Sequence, residues 1–470
     1  MSIPSSFNNS ETYLEAASKF LSTYSWIYRT SNTNCLLSIE SMPLDLKDYF
    51  LSISNEKLNL VPLLQENLGD CPLSLISFRQ ELNILTPKQI EDVNNSNCKV
   101  TQKAKNQKGI SAKKMLEIKN LSQHVNDHCA ESQVLVDLGA GLGYLSQALF
   151  DLKPNYLILG LEADKSRVEK ARQRRLSYLP PDAIKSVIYQ QHFVNADSSP
   201  YINALTTELA KNNGFSEVVT ISIIGLHACA DLSINAMLLF LKMPKVRCLH
   251  IMPCCYHKLE LRSHGNGVRD HITNFPLSKA LHKSIQKTNQ NLFLNRPFLR
   301  LACQQTSSHW DRDCTAEAHE EHGYRMYMRA LAEAVLNTTE IVKPKKNISF
   351  TPKYPITMFK LRSGFQVFSK ESSESIEWNS THEAKFLEFS LKYPNTQGPR
   401  LAEALTCLQT AIQKLCENVV LLDRLCYLEE MAASQNIPIK AQYKILLDEK
   451  ISPRCQVLVA EKCGLKFPGT

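Results

Sequence analysis

Between residues 134 and 252 the sequence alternates five short apolar runs with stretches of helical periodicity, and this alternation restricts the fold more than any other feature. Each run is shorter than an ordinary helix, and the segments between runs have apolar residues three or four positions apart. Such alternation is typical of a parallel sheet covered by helices, so we predict an α/β fold of the Rossmann-like kind. The predicted strands are 134–138, 156–161, 187–189, 218–224 and 246–252.

Three regions are distinguished along the 470 residues by spacing and composition. The first has helical spacing, the second is polar and rich in lysine, and the third contains the alternating pattern. The third begins with a helix for which Ser111 is a suitable capping residue. The predicted bounds are 1–97 for the helical N-terminal region, 98–110 for the basic linker and 111–470 for the α/β domain, with helical insertions around 305–440 and a closing strand near 456–460.

Charge is distributed unevenly between these regions. Residues 1–97 carry 6 Lys and Arg against 11 Asp and Glu, whereas residues 98–470 carry 48 against 35. A basic domain attracts polyanions such as nucleic acid, although a merely solvated surface has the same composition. The acidic first region would suit a basic protein partner.

Fifteen cysteines are dispersed along the chain without a C-x-x-C pair. The sequence begins with a polar stretch in place of a secretory signal, and no apolar run reaches the roughly 18 residues that a membrane span requires. This cysteine usage is typical of a reducing compartment. We therefore expect no membrane partner and a location in the cytoplasm or the nucleus.

The first predicted strand runs into a glycine-rich loop, V-L-V-D-L-G-A-G-L-G-Y over residues 134–144. Glycines let the backbone approach a ligand closely, and the helix that follows offers unpaired N–H groups. Asp137 precedes the glycines, and Glu162 closes the second strand, where a carboxylate can accept hydrogen bonds from both ribose hydroxyls of a nucleoside. The candidate cofactor-binding residues are Asp137, Gly139, Gly141, Gly143, Tyr144, Glu162 and Asp197.

Two members of this set have alternative interpretations. Tyr144 begins the helix after the loop, where an aromatic ring packs either on a cofactor or on the protein core. Asp197 follows the third strand, where it would accept a hydrogen bond from an adenine amine or simply cap a turn.

The position of Asp137 bears on the kind of nucleoside that the loop binds. A dinucleotide places its pyrophosphate at the helix start, and a carboxylate in the strand just before would repel it. S-adenosylmethionine has no phosphate, and its methionine ammonium and sulfonium groups are positive. We therefore predict S-adenosyl-L-methionine as the cofactor of a methyltransferase. A dinucleotide enzyme and a non-binding remnant of the fold are the alternatives.

Reactive side chains follow the fourth and fifth predicted strands, in I-I-G-L-H-A-C-A-D and I-M-P-C-C-Y-H-K. The carboxyl ends of neighbouring parallel strands line the ligand crevice, so these groups should face one another. Methyl transfer needs the acceptor lone pair in line with the methyl carbon, and a base only where the acceptor carries a proton. The candidate catalytic residues are His227, Asp231, Cys254, Cys255, Tyr256 and His257.

These candidates allow more than one chemistry. Either histidine or Asp231 would serve as a base, and Tyr256 would stack on a flat substrate such as a flipped base. The cysteines and histidines would alternatively bind zinc or fill the core. The cysteines lack paired-knuckle spacing, so we expect no metal. The segment after strand four also lacks the Asn/Asp-Pro-Pro-aromatic motif that is usual for methylation of adenine N6.

Taken together, these motifs resemble the methyltransferase-like protein 25 family, which includes proteins labelled as ribosomal RNA adenine dimethylase domain-containing. The resemblance implies a class I methyltransferase sheet with a helical N-terminal region and an elaborated C-terminal part. Leu142 and Ala230 stand where the family often has Lys and Gly. The matching motifs are S-A-K-K-M-L-E-I at 111–118, D-L-G-A-G-L-G-Y-L-S at 137–146, G-L-H-A-C-A-D-L-S at 225–233 and P-C-C-Y-H-K-L at 253–259, with shorter matches at 301–304, 421–425 and 452–460.

More distantly, the His-x-Cys and Cys-Cys-x-His pairings are similar to those of a tRNA ribose-methylating family. The first helix also resembles the corresponding helix of Lys-Asp-Lys-Glu ribose 2′-O-methyltransferases. Lys114, Asp231 and Lys258 match three of the four roles in that tetrad, and no residue matches the fourth.

From the basic stretches Lys99–Lys119 and Lys165–Arg175 we predict an RNA substrate, ribosomal or transfer, bound in part by Lys113, Lys114 and Lys258. A methyltransferase acting on protein or on a small molecule is the first alternative. The second is a non-catalytic adaptor that keeps the fold and binds RNA or protein.

Overall fold

A computed structural model describes most of the chain, and its described residues form two compact units. Unit 1 takes in the described residues within 1–14, 87–284 and 419–470, and unit 2 those within 15–86 and 285–418. The described ranges are 3–31, 33–87, 110–217, 220–262, 271–288, 293–304, 306–310, 315–345, 355–392, 394 and 396–464.

The described helices vary from single turns to one of 37 residues. None of them is long and apolar enough to cross a membrane. The α-helices are α1 Ser10–Thr23, α2 Leu36–Ser41, α3 Leu44–Ser52, α4 Asn55–Leu60, α5 Leu73–Leu85, α6 Ala112–His128, α7 Tyr144–Leu152, α8 Lys165–Tyr178, α9 Ser199–Asn212, α10 Leu232–Lys242, α11 Lys279–Thr288, α12 Arg296–Leu301, α13 Ala316–Ala334, α14 Met358–Gly364, α15 Ser380–Lys392 and α16 Gly398–Ser434. Short 3₁₀ helices lie at Ser25–Tyr28, Pro181–Ser186, Tyr256–Lys258 and Ser307–His309.

The strands form three sheets, of seven, three and two strands. They are β1 Val134–Leu138, β2 Leu157–Glu162, β3 Val187–Gln191, β4 Ile221–Ala228, β5 Val246–Pro253, β6 Leu261–Arg262, β7 His271–Ile272, β8 Glu340–Pro344, β9 Phe365–Ser369, β10 Ser375–Ile376, β11 Ile439–Ile445 and β12 Gln456–Lys462.

The central sheet of unit 1 has the strand order β11-β12-β5-β4-β1-β2-β3. Strands β1 to β5 run parallel to their neighbours, whereas β12 is antiparallel to both β5 and β11. The order reverses between β1 and β4, which is where α/β sheets open a ligand crevice. The predicted α/β class and Rossmann-like, class I methyltransferase sheet are therefore confirmed.

The five predicted strands are all present, and the strand near 456–460 is β12. The sequence did not indicate β11, the edge strand beside β12. Its polar residues Lys440 and Gln442 are exposed, because an edge strand has only one neighbour and keeps one face in solvent. Strand β4 also continues four residues beyond the predicted end, so His227 lies within the strand.

Helix α6 begins where the sequence predicts. The Ser111 hydroxyl accepts a hydrogen bond from the Lys114 N–H at 3.3 Å, which satisfies one of the orphan donors at a helix start. Ile118, Leu121 and Val125 are buried in one core with residues of β1, β2 and α7. This apolar stripe holds α6 against the sheet.

Unit 2 contains the predicted N-terminal helices and much of the predicted insertion. It is mainly helical, and it also holds the small antiparallel sheet β10-β9-β8. The predicted linker at 98–110 lies outside the described residues except for Ile110. The predicted boundaries at 97 and 110 therefore stay a prediction.

Candidate functional site

The glycine loop joins β1 to α7 at the centre of the sheet. Gly139, Gly141 and Gly143 have φ values of 74°, 56° and 75°, in the left-handed region that glycine adopts at no steric cost. The N–H groups of Gly139 and Ala140 donate to the Leu161 carbonyl at 2.8 and 3.0 Å. The loop is thus fixed against the end of β2, and α7 begins directly behind it.

Glu162 closes β2, as the sequence predicts, and its carboxylate faces the loop. Oε2 accepts a hydrogen bond from the Gly141 N–H at 3.0 Å, and Oε1 accepts one from the Asp164 N–H at 3.1 Å. Arg167 Nη1 lies 3.9 Å from Oε1. A carboxylate has about four lone-pair sites, so these two hydrogen bonds leave capacity for two further donors.

Asp137, on β1, is buried directly beneath the loop, with 1% of its surface exposed. The Ser146 hydroxyl donates to its Oδ2 at 3.2 Å. Burial raises the pKa of Asp137 to about 7; the Ser146 hydrogen bond opposes this shift, and the negative charge of Glu162 adds to it. A cationic ligand group beside Asp137 would stabilise its ionised form.

Tyr144 and Asp197 are placed less favourably for the roles predicted for them. The guanidinium of Arg174 lies 3.8 Å from the centre of the Tyr144 ring, and the ring packs against the core. The Asp197 side chain is 92% exposed, and its carboxylate lies 3.3 Å from Lys242 Nζ. Contacts with a cofactor stay a prediction for both residues.

His227 at the end of β4 is paired with a buried acid that the sequence analysis missed. Its Nε2 lies 2.9 Å from Oε2 of Glu117, which is on α6 and 1% exposed. The Ser452 hydroxyl donates to the other Glu117 oxygen at 2.7 Å. The pKa of Glu117 lies below its ordinary value, because hydrogen bonds from His227 and Ser452 outweigh the burial that would raise it. Glu117 therefore holds the His227 ring in a fixed orientation.

The segment after His227 has a strained backbone. His227 and Ala230 have φ values of 60° and 50°, which residues other than glycine rarely adopt. Glycine would adopt the conformation of Ala230 at no steric cost. Such strain is characteristic of functional segments.

Three cysteines converge beside this segment, as the sequence predicts for the ends of β4 and β5. The Sγ atoms of Cys229 and Cys254 are 2.8 Å apart, and those of Cys254 and Cys255 are 3.6 Å apart. Hydrogen bonds from the Cys229 and Cys254 thiols, together with the positive charge of Lys258, hold the pKa of Cys255 below its ordinary value. Catalytic, metal-binding and structural roles for this cluster stay predictions.

The positions of Asp231 and Tyr256 argue against the roles predicted for them. The Asp231 carboxylate accepts hydrogen bonds from the Glu260 N–H at 3.1 Å and the Asn274 amide at 2.7 Å, so it fixes a loop. Tyr256 is 1% exposed, and the guanidinium groups of Arg424 and Arg454 lie 4.9 and 5.9 Å from its ring centre. A ring buried in this way is not a stacking surface for a substrate. The neighbouring His257 is half-buried.

The predicted substrate lysines are exposed. Lys113 Nζ lies 3.9 Å from Glu117, and Lys114 Nζ lies 5.9 Å from the centre of the Tyr144 ring, so both are near the loop and the His227 pair. Lys258 follows Tyr256 in the 3₁₀ helix after β5. All three belong to unit 1 and surround the carboxyl ends of its strands.

The basic helix α8 has two distinct faces. Arg172 donates to the Tyr189 carbonyl at 2.9 Å, and Arg174 donates to the Leu142 and Gly143 carbonyls at 3.4 and 3.3 Å. These two arginines therefore support the sheet and the glycine loop. Lys165 and Lys170 are exposed.

Unit 2 has a second polar cluster that the sequence analysis did not identify. Glu403 on α16 is 4% exposed, and its two carboxylate oxygens pair with His319 Nδ1, at 2.7 Å, and with His322 Nδ1. The pKa of Glu403 is lowered, because hydrogen bonds from these histidines outweigh its burial. The cluster borders a cavity of about 650 Å³ whose lining also includes Asn55, Tyr324 and Arg400.

Comparison with known families finds a match over the part of the chain that holds this site. Residues 113–262 match a family model described as "Methyltransferase domain". The chain is 24% identical to "Probable methyltransferase-like protein 25" of Mus musculus over 271 residues, and 24% identical to the Homo sapiens protein of that name over 270 residues. These matches cover 56% of this chain and 41% and 40% of the relatives. The chain therefore spans about two fifths of the length of the curated relatives it matches.

Solved structures similar to the chain include the methyltransferase domain of bacterial CtHen1-C and the glycopeptide N-methyltransferase MtfA complexed with S-adenosyl-L-methionine. They are 19% and 17% identical, with TM-scores of 0.22 and 0.19. They cover 32% of this chain each, and 72% and 63% of their own chains. The strand order of the central sheet gives the fold independently of these structures. Residues 113–262 thus match a methyltransferase domain, and the resemblance to methyltransferase-like protein 25 is confirmed over about half of the chain.

Proposed function

We propose that the chain is a methyltransferase that binds S-adenosyl-L-methionine between the ends of β1 and β2. The observation that carries this proposal is the pair of carboxylates around the glycine loop. Glu162 has acceptor capacity beyond its hydrogen bonds to Gly141 and Asp164, as two ribose hydroxyls require. Asp137 is buried beneath the loop and lacks a cationic hydrogen-bond partner in the described residues. The residues therefore fit this cofactor.

Asp137 disfavours a dinucleotide. A pyrophosphate at the start of α7 would lie near this buried carboxylate, whereas an ammonium and a sulfonium would be attracted to it. When bound, S-adenosyl-L-methionine supplies a methyl group on a positively charged sulfur. Asp137 and Glu162 bind and orient the cofactor in this scheme, and neither residue accepts a proton during transfer.

His227 is the residue that we propose as the proton acceptor. Glu117 accepts a hydrogen bond from the Nε2–H of the His227 ring. Nδ1 of that ring then carries a lone pair, which would accept the proton of the substrate hydroxyl or amine. The ionised Glu117 then stabilises the imidazolium that forms, as an acid does in other acid–histidine pairs. Two thirds of the His227 side chain is buried, and the remaining third is open to a substrate.

The pKa of Asp137 leads to a testable pH dependence. Asp137 attracts the methionine ammonium only when its carboxyl group is ionised. The affinity for S-adenosyl-L-methionine therefore falls as the pH drops below about 7. We expect Kd for S-adenosyl-L-methionine to rise about tenfold between pH 8 and pH 6, as one group with this pKa gives. Calorimetric titration across this range measures the change.

An Asp137→Asn variant is expected to bind S-adenosyl-L-methionine weakly at pH 8 and to lose most of the pH dependence of Kd. Any dependence that it keeps comes from titration of the ligand, so comparison of the two chains isolates the contribution of Asp137. Asp182→Asn, at an exposed site on the same unit, is the control and should keep the wild-type profile. An unchanged slope in Asp137→Asn would show that Asp137 is not the titrating group.

We further propose RNA as the substrate. The proposal is supported by the exposed Lys113, Lys114 and Lys258 around the strand ends, by the exposed lysines of α8, and by the basic balance of residues 98–470. Lysines bind the phosphate backbone without regard to sequence, so they would hold RNA while the His227 pair meets the acceptor group. Cytoplasm and nucleus, where RNA is found, remain the predicted locations.

Methyl transfer from radiolabelled S-adenosyl-L-methionine tests this proposal. The full chain is incubated with ribosomal RNA, transfer RNA or a protein extract, and label in each fraction is counted. We expect label in RNA, and a loss of at least about 100-fold in His227→Gln, the scale of general base catalysis. His282→Gln, in α11, is the matched control and should retain activity.

The separate outcomes distinguish the alternatives. Label in protein alone would replace RNA with a protein substrate. Cofactor binding without transfer to any fraction would favour the non-catalytic adaptor. Equal transfer by His227→Gln and wild type would remove His227 from the proposed mechanism.

A further inference from the structure

A second group of cysteine and histidine side chains lies in unit 1, away from the three cysteines of the candidate site. It consists of Cys129, just after α6, and Cys248 and His250 on β5. One ligand atom from each lies within 4.8 Å of the others. The three residues are 2%, 4% and 1% exposed, so they form a closed cluster between helix and strand.

Two buried imidazole nitrogens here have no hydrogen-bond partner among the described residues. They are Nδ1 of His250 and Nε2 of His124, whose rings are 5.1 Å apart. A buried polar atom without a partner is unfavourable, so two such atoms in neighbouring rings require an explanation. The nearby Ser222 hydroxyl is hydrogen-bonded to Ser132 at 2.6 Å, and it makes no hydrogen bond to either ring nitrogen.

The donor set matches one class of ligand. Two thiols and two imidazoles are the ligands of closed tetrahedral zinc sites, with bonds of about 2.3 Å to sulfur and 2.0 Å to nitrogen. The ligand atoms of Cys129, Cys248 and His250 lie within 4.8 Å of one another and need only slight closure around one ion. His124, whose ring centre lies 5.1 Å from that of His250, would move toward them as the fourth ligand.

We propose that Cys129, Cys248, His250 and His124 bind one zinc ion that joins the end of α6 to β5. This site is structural. Cys248 is near the start of β5, and Cys254 of the candidate site follows the end of that strand, about 20 Å away at a rise of about 3.3 Å per residue. The zinc ion fixes α6, the helix that carries Glu117. The inference does not depend on the proposed methyltransferase activity.

The first test measures the zinc content of the purified, dialysed full chain by elemental mass spectrometry. We expect at least one zinc per chain in the wild type, and one fewer in His250→Gln and in Cys248→Ser. Cys71→Ser, a thiol in unit 2, is the control and should keep the wild-type content. A wild-type chain without zinc, or folded variants with the full content, would overturn the proposal.

X-ray absorption at the zinc edge tests the ligand set without altering the site. It is recorded on a Cys255→Ser chain, which weakens any binding by the three-cysteine cluster. We expect two sulfur neighbours near 2.3 Å and two nitrogen neighbours near 2.0 Å. Sulfur neighbours alone, or none, would assign the metal elsewhere and contradict the proposed site, even if the His250 and Cys248 variants fail to fold.

Discussion

Replacing Glu162 with Gln is expected to raise Kd for S-adenosyl-L-methionine by about 100-fold. The carboxylate would accept two ribose hydroxyls, and a hydrogen bond to a charged group contributes about 1.5–3 kcal/mol. Glutamine keeps one acceptor oxygen but replaces the other with a donor that faces the Gly141 N–H. A loss of about 2.8 kcal/mol corresponds to the expected 100-fold change. Calorimetric titration of both chains measures it.

Glu169→Gln is the matched control, because Glu169 is an exposed acid on the helix that follows Glu162. It should bind the cofactor as the wild type does. Circular dichroism of the Glu162→Gln chain checks that unit 1 is folded. A folded Glu162→Gln chain with wild-type affinity would contradict the placement of the ribose.

Gly143→Ala is expected to destabilise unit 1 by about 3 kcal/mol. Alanine at a φ of 75° costs about 1–2 kcal/mol, since the left-handed region is unfavourable for residues with a Cβ. The added Cβ would also lie 2.3 Å from the Tyr189 hydroxyl and 2.6 Å from its Cζ, and such overpacking costs about 1–3 kcal/mol. The glycine loop must shift, so cofactor affinity should fall as well.

The matched control is Gly214→Ala, which has a φ of 85° but no atom of the described residues within 4 Å of the added Cβ. It should lose only the backbone contribution, about 1–2 kcal/mol. Urea denaturation is followed by far-ultraviolet circular dichroism, because all three tryptophans lie in unit 2 and their fluorescence does not report on unit 1. Equal stability of the two variants would show that Tyr189 does not restrict the loop.

The sequence was sufficient for the features that rest on local patterns. Apolar runs predicted β1 to β5, and the glycines predicted the loop. The place of Glu162 at the end of the second run predicted that it closes β2. These signals are strong because parallel strands are buried on both faces and because only glycine suits the loop conformation. Tyr189 supports the loop and also packs closely on Gly160. These contacts depend on pairing between strands, so no local sequence pattern indicates them.

The chemistry at the ends of β4 and β5 was less predictable. Glu117 is a single acid in an amphipathic helix, and only its burial beside His227 distinguishes it from a solvated residue. Glu117 lies four residues before the buried Leu121, which places both on one helix face, and this spacing was the one available signal. Asp231 and Tyr256 appeared reactive in sequence, but long-range contacts with Asn274, Arg424 and Arg454 occupy them.

The most direct test of this account is a calorimetric titration of S-adenosyl-L-methionine into the wild-type full chain at pH 8, with NADH titrated in parallel. We predict one site with micromolar affinity, about −8 kcal/mol, and no binding of NADH. Absence of heat with S-adenosyl-L-methionine from a chain shown to be folded, or binding of NADH in its place, would contradict the account.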